Sequence, residues 1–369
     1  MTTTVEPPRT PTRRTGYMHG LDLLRVVGSC AVVLTHLVAW FGIYDRDLWL
    51  VGLVESAVVE PLHINKDMHV LGVAVFLVVS GVVVTHVADR ETPTQFLRRR
   101  VVRLLPLLWV VTALAWVALR LGYTHTDVDP SAADVGALVD NLLMVGFFQS
   151  PPMVLLGVTW TLLVQIGFYV YVAATIPVLR RWPWVPPLAA AALCFVVILA
   201  TQGSTDLAPR EIRGLIGYLP LLCLGQLISL VHSRKITPMA GVAVGAAHFL
   251  LVVWVDKQYG YAATGAALPR TLMIALLVTI VLVSVHGPVS RSAFIRSWAK
   301  RTYAVYLVHI PVMLPLFVFL VPHLDATLVI VVGLVAVAVV TEVVHRFVEV
   351  PADRAVRRWE GRRQERRSG

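Results

Sequence analysis

The chain has 369 residues, of which 57% are apolar and only 15% charged, with a mean hydropathy of +0.74. Soluble domains sit nearer half apolar and a quarter charged, so a water-soluble globule is excluded. The net charge of +10 raises nucleic acid as a partner, but the placement of that charge along the chain argues against it.

The first twenty residues are polar and basic, with Arg9, Arg13 and Arg14. An apolar run then continues from Leu21 to Ile43. It is too long for the core of a cleaved secretory signal and no small-residue cleavage site follows it, so it is read as a retained first span. About 20 apolar residues cross a bilayer, and such runs recur at 22–43, 68–88, 104–122, 158–179, 185–202, 211–232, 238–256, 265–286, 302–322 and 326–348. A weaker stretch at 135–149 carries Asp140 and Asn141. Ionisable groups facing lipid are costly, so an interfacial or re-entrant helix is expected there. No internal repeat and no second soluble domain is visible. The expected architecture is an all-α integral membrane fold of about ten transmembrane helices over 21–350, between basic tails at 1–20 and 351–369.

Lys and Arg sort by side. With the N-terminus inside, 24 of the 32 fall on inner segments and 5 on outer ones, and Arg25, Arg120 and Arg270 lie within spans. Positive residues mark cytoplasmic loops, so both termini are expected in the cytoplasm of a plasma-membrane protein. Acidic residues concentrate on the other side, at Asp45, Asp47, Glu55, Glu60 and Asp67, and at Asp127, Asp129 and Asp134. The basic surplus is therefore a topology signal that also attracts anionic membrane lipid, and nucleic acid is not an expected partner. Cys30, Cys194 and Cys223 lie in apolar runs and read as small packing residues; no disulfide or metal site is expected.

Polar residues inside the spans carry the functional signal. Arg25 and His36 are eleven residues apart, three turns plus roughly 20°, which puts both on one helix face ~16 Å apart along the axis. Asp22 and Ser29 share that side. The pattern suits either a snorkelling Arg with a packed His, or a track for an elongated anionic substrate whose reactive end reaches an imidazole able to move a proton near neutral pH. A second imidazole, His309, stands two turns into its span with Tyr303 and Tyr306 nearby, and Pro311 loosens the backbone ladder there. Arg100 and Arg103 lie one turn apart at the cytoplasmic end of the third span. They are candidates for phosphate binding, whereas Arg98 and Arg99 read as topology charges. The run Gly72–Gly81, with Ser80, admits close helix packing or a slender ligand between helices. Gln165 and Tyr169 share a face as i, i+4 neighbours, and a buried Gln needs partners.

In order and spacing these residues resemble the acyltransferase-3 family of membrane O-acyltransferases. The resemblance rests on Leu21-Asp22-x-x-Arg25 with His36, Gly72–Gly81, Arg100-x-x-Arg103 with Leu-Pro-Leu-x-Trp109, Trp160-Thr-Leu-x-Val-Gln165 with Phe168-Tyr169, and Tyr303-x-x-Tyr306-Leu-x-His309-x-Pro311. It runs from about residue 17 to Glu349-Val-Pro351. One departure is Gln165, where the family usually has Glu, so no proton-transfer role falls to it. The hydrolase-like domain of some relatives is not expected. The resemblance implies transfer of an acyl group, usually acetyl from acetyl-CoA, to a hydroxyl of a sugar, glycolipid or glycosylated natural product. Arg25, Arg100 and Arg103 would then hold CoA phosphates. The pantetheine arm would run between spans one and two, past Ser80 and Gly81. His36 would be general base or acyl carrier, His309 its support, and Trp160, Gln165, Tyr169 and Tyr306 the substrate pocket. The competing class is a secondary transporter or flippase, which would be expected to show repeat halves, broken helices or a relay carboxylate.

Overall fold

A computed structural model describes residues 17–43, 49–66, 68–122, 131, 133–150, 152–260, 267–285 and 287–368. Arg9, Arg13, Arg14, Asp45, Arg46, Asp47, Asp67, Asp127 and Asp129 lie outside the described residues. Each of the ten expected spans is a helix: α1 (His19–Ile43), α2 (Met68–Ala88), α3 (Pro93–Arg120), α4 (Trp160–Arg181), α5 (Val185–Thr201), α6 (Leu207–His232), α7 (Pro238–Tyr259), α8 (Ala267–Ser284), α9 (Ala293–Leu320) and α10 (Ala326–Val344). Nine helices among the described residues are long and apolar enough to cross a membrane. The remaining one, α5, has 17 residues, a rise of ~26 Å against a hydrocarbon core of ~30 Å. Exposed Trp182 and Trp184 stand at its start, where amphipathic rings suit the interface.

Two helices begin well before their apolar runs. Thr92 caps α3 by accepting from the Gln95 N–H at 3.3 Å, with Pro93 following; Ser292 caps α9 by accepting from Ile295 N–H at 3.2 Å. A side-chain cap is a strong helix start, reinforced by Pro93 in α3, and the basic segments ahead of these spans are helical extensions rather than loops. The tail is helical too. Beyond α10 a π-helical turn, His345–Glu349, leads into α11 (Val350–Ser368). Here α11 folds onto the α3 extension: Glu360 pairs with Arg98 and Arg99, and the Arg98 guanidinium lies 4.4 Å over the Trp359 ring. Arg98 and Arg99, read from sequence as topology charges, are the anchor of the tail.

The stretch 135–149 holds the short helix Val135–Leu142 and a 3₁₀ turn. Buried Asn141 ties it down, donating to the Ala137 and Met153 carbonyls and accepting from the Leu155 N–H. A further helical run, 49–62, was not expected from the sequence.

At the centre stands α2, apolar on every side and packed by α1, α4, α6 and α8. Such a helix belongs inside a bundle. It is held there by glycine. A Cβ built on Gly81 would fall 2.0 Å from the Leu222 carbonyl oxygen, and one on Gly225 would fall 2.0 Å from that of Val78. The backbones of α2 and α6 therefore touch, as small residues permit in membranes. On the other side a Cβ on Gly72 would lie 3.3 Å from the Gly28 carbonyl oxygen of α1.

Replacing Gly225 by Val forces the α2–α6 crossing apart. Overpacking costs ~1–3 kcal/mol or more, so a clear fall in melting temperature and in folded yield is expected. Gly167, with nothing within 4 Å of its Cβ position, serves as the control: Gly167→Ala leaves both unchanged or slightly raised. Equal behaviour of the two variants would refute the crossing.

Candidate functional site

The N-terminal extension of α3 and the start of α1 bring Arg25, Arg100 and Arg103 to one small open cleft. Its other walls are Phe76 and Ser80 of α2, Gln165 and Tyr169 of α4, and Thr302 and Tyr303 of α9. Arg100 is buried, lies 5.3 Å over the Phe96 ring, and has the Glu91 carboxylate 4.0 Å away; its buried Nε–H meets no hydrogen-bond acceptor. Arg25 sits 3.7 Å from Asp22, which accepts a 2.7 Å hydrogen bond from the Tyr17 hydroxyl. Arg103 is exposed and pairs with no described carboxylate. Three guanidinium groups thus share a cleft whose nearby carboxylates are Asp22, Glu91 and, acting on Arg103 at longer range, Glu349. Like charges at short range are unfavourable in a low dielectric, and a multiply charged anion offsets that cost with strong, forked hydrogen bonds.

Glu91 organises this edge. It is buried, it pairs with Arg99 at 2.5 Å, and its second oxygen faces Arg100. Arg180 donates to the Ala88 and Glu91 carbonyls, at 3.1 and 2.6 Å, and so closes the end of α2. Gln165 accepts a 3.2 Å hydrogen bond from the Tyr169 hydroxyl through its side-chain oxygen, which leaves its amide N–H₂ as a neutral donor in a wall of cations.

Farther into the bundle the two histidines meet. His309 Nε2 lies 3.3 Å from His36 Nδ1, with ring centroids 4.9 Å apart and planes at 64°. Each ring's Nδ1 also faces a carbonyl of its own helix: Val32 at 2.9 Å for His36 and Val305 at 3.1 Å for His309. A carbonyl only accepts, so both Nδ1 atoms carry the proton in the neutral rings. In that tautomer the one His36 Nδ1–H is shared between the Val32 carbonyl and His309 Nε2, and the lone pair of His36 lies on its Nε2. That is the tautomer a general base requires. His309 is fully buried and His36 half-buried.

Between cleft and imidazoles runs a ladder on α9: Tyr303, Tyr306 and His309, the last six residues or ~9 Å beyond the first. Tyr303 donates to the Leu104 carbonyl at 2.8 Å. Tyr306 reaches Thr161 Oγ1 at 2.7 Å and donates to the Val158 carbonyl at 3.0 Å, while its ring stacks on Phe76 at 5.2 Å and 11°.

Of the residues singled out in the sequence, Arg25, Arg100, Arg103, Ser80, Gln165 and Tyr169 line the cleft, and His36, His309 and Tyr306 gather beyond it. Gly81 is used up in the α2–α6 crossing. Trp160 stands at the other end of α4 from Arg180 and Arg181, its ring 4.6 Å from Tyr218 and 6.1 Å from His69. Along the expected route between spans one and two, α1 and α2 approach closely at Gly28 and Gly72, and at the cleft Phe76 of α2 faces Tyr306 of α9. Phe76 and Glu91 are the site residues that the sequence did not single out. Phe76 left no signal inside an apolar run, whereas the isolated carboxylate of Glu91, just before a Thr-Pro helix start, was a readable one.

A family model for an acyltransferase domain matches residues 18–344. Nodulation protein 10 of Rhizobium leguminosarum bv. viciae is 27% identical over 332 residues, covering 81% of this chain and 83% of that protein. No solved structure matches the chain. With the match spanning the whole helical bundle, the chain belongs to the acyltransferase-3 family and is a multi-pass membrane acyltransferase.

Proposed function

We propose that the enzyme transfers an acyl group, acetyl from acetyl-CoA, to a hydroxyl of a sugar, glycolipid or glycosylated natural product. The observation that carries this reading is the convergence of Arg25, Arg100 and Arg103 on one cleft, two helical turns from the His36–His309 pair. The guanidinium groups suit the phosphates of CoA, and the pantetheine arm suits the step from cleft to imidazoles. In this scheme His36 Nε2 takes the proton of the acceptor hydroxyl as its oxygen attacks the thioester carbonyl carbon. The C–S bond then breaks, and the sulfur leaves with the proton that His36 returns to it. His309 holds His36 in the required tautomer through the Nδ1–H contact and is a positioning residue. Acyl transfer by way of His36 itself is the variant that a trapped acyl-imidazole would reveal.

The donor site is tested by substitution. Arg100→Ala and Arg103→Ala should each raise the apparent KM for acetyl-CoA roughly tenfold or more, since a charged hydrogen bond contributes ~1.5–3 kcal/mol. Lysine should rescue only in part, lacking the fork. Arg98→Ala, whose partners are Glu360 and Trp359, should leave KM unchanged. Equal effects at the three positions would refute a phosphate site.

The chemical step has its own measurement: turnover per folded molecule beside CoA binding. A positioned base contributes ~10²–10⁴ in rate, so His36→Ala should lose at least that much while still binding CoA. Retention of more than about a tenth of normal turnover means His36 is not the base. If His309→Ala alone is inactive, the catalytic role moves to α9.

The same reading places both termini and the arginine cleft in the cytoplasm of a bacterial plasma membrane, on the charge asymmetry of the loops. In a background without Cys30, Cys194 and Cys223, Ser150→Cys should react with an impermeant thiol reagent added to intact cells, and Arg358→Cys only after lysis. The reverse pattern would end this topology.

A further inference from the structure

The arginine cleft stops short of the histidine pair, and the Phe76–Tyr306 stack lies between them. Phe76 lines the cleft and stacks nearly parallel on Tyr306, whose ring centroid lies 6.1 Å from that of His309. Neither histidine is among the residues that line the cleft, and His309 is fully buried. Along the neighbouring route α1 and α2 approach closely at Gly28 and Gly72. The two leaves of this closure differ. Tyr306 is pinned by Thr161 and the Val158 carbonyl. Phe76 has no polar anchor, so only its packing holds it. It is also followed by Val79, Ser80 and Val83, which give its ring a cleft to turn into.

We propose that Phe76 is the movable leaf of a gate between the arginine cleft and the imidazole pair, and that it limits the size of the acyl group reaching His36. The size-limiting role rests on the acyl-donor reading above; the gate itself does not. Turned toward Tyr306, the ring seals the imidazoles from water entering by the cleft. Turned into the cleft, it opens the α2–α9 seam to a slender chain.

The test uses the full chain in membrane vesicles, with the three native cysteines replaced and His309→Cys as a buried reporter. The side bearing the cleft is identified by labelling Arg358→Cys in matched vesicles, since α11 packs on the α3 extension that carries Arg100 and Arg103. An anionic methanethiosulfonate, which suits the arginine cleft, is added from each side in turn. With Phe76 present, labelling from the cleft side should be slow. Phe76→Ala should accelerate it about three- to tenfold, the scale set by losing one stacked aromatic pair, with no change from the opposite side. Phe76→Trp should stay slow. Phe76→Leu, which keeps much of the volume and the fold, should fall between. Equal labelling rates for Phe, Leu and Ala at position 76, at matched melting temperatures, would overturn the gate. In the enzyme with His309 intact, Phe76→Ala should raise turnover of butyryl-CoA relative to acetyl-CoA, and an unchanged ratio beside faster labelling would overturn the size limit. Absence of CoA binding by the parent enzyme would sink the donor reading, while the labelling series would still decide the gate.

Discussion

The site depends on how closely α2 approaches its neighbours. With no polar stripe, α2 has nothing to present to water, and in lipid there is little hydrophobic drive to hold helices together. What holds it is contact of backbone with backbone, at Gly81 and Gly225 against α6 and at Gly72 beside Gly28 of α1. Away from those contacts, Phe76 and Ser80 of α2 are left to line the arginine cleft. The glycines therefore set how closely α2 lies against α6 and α1 beside the cleft.

Charge is handled differently at the two edges of this cavity. On the outside of the α3 extension Arg98 and Arg99 are matched by Glu360, with Glu91 completing the network. On the inside, Arg100 has the Glu91 carboxylate at 4.0 Å, whereas Arg103 forms no ion pair among the described residues and feels Glu349 at longer range. Four arginines in one short segment are thus split by helix geometry. Side chains one residue apart point ~100° away from one another, so Arg98 and Arg99 anchor the tail while Arg100 and Arg103 line the cleft. The extension is rigid because it is a capped helix continuous with its span, and a preorganised guanidinium loses little entropy when it meets a phosphate.

Deeper in the bundle, the two imidazoles illustrate how a helix can set a tautomer. Each Nδ1 is turned back onto a carbonyl one turn earlier in its own helix, which fixes the proton there and the lone pair on Nε2 without any carboxylate. A carboxylate partner would raise the basicity of His36, but it would also place a buried negative charge in the membrane interior, where it is costly. A second neutral imidazole orients the first at far lower desolvation cost.

The sequence alone determined the class of fold, the ten helical spans and several of the polar residues at the site. Apolar runs of bilayer length leave no other solution, and an Arg or His inside such a run is conspicuous because water is absent there. Arg25, His36 and His309 were legible for that reason, Arg100 and Arg103 by their one-turn spacing beside a span, and their order carried the family. Tertiary structure decided everything that needs two distant segments at once. His36 and His309 are 273 residues apart, and Glu360 returns 262 residues to reach Arg98; periodicity along one helix says nothing of such pairings. Small and aromatic residues were the least legible. A glycine reads alike whether it admits a ligand or a neighbouring backbone, which is why Gly81 was assigned to the cofactor and is found at a helix crossing. A phenylalanine in an apolar run carries no signal of its own, and only its stacking on Tyr306 distinguishes Phe76 from the rest of the core, because a contact across helices is a property of packing and not of sequence spacing.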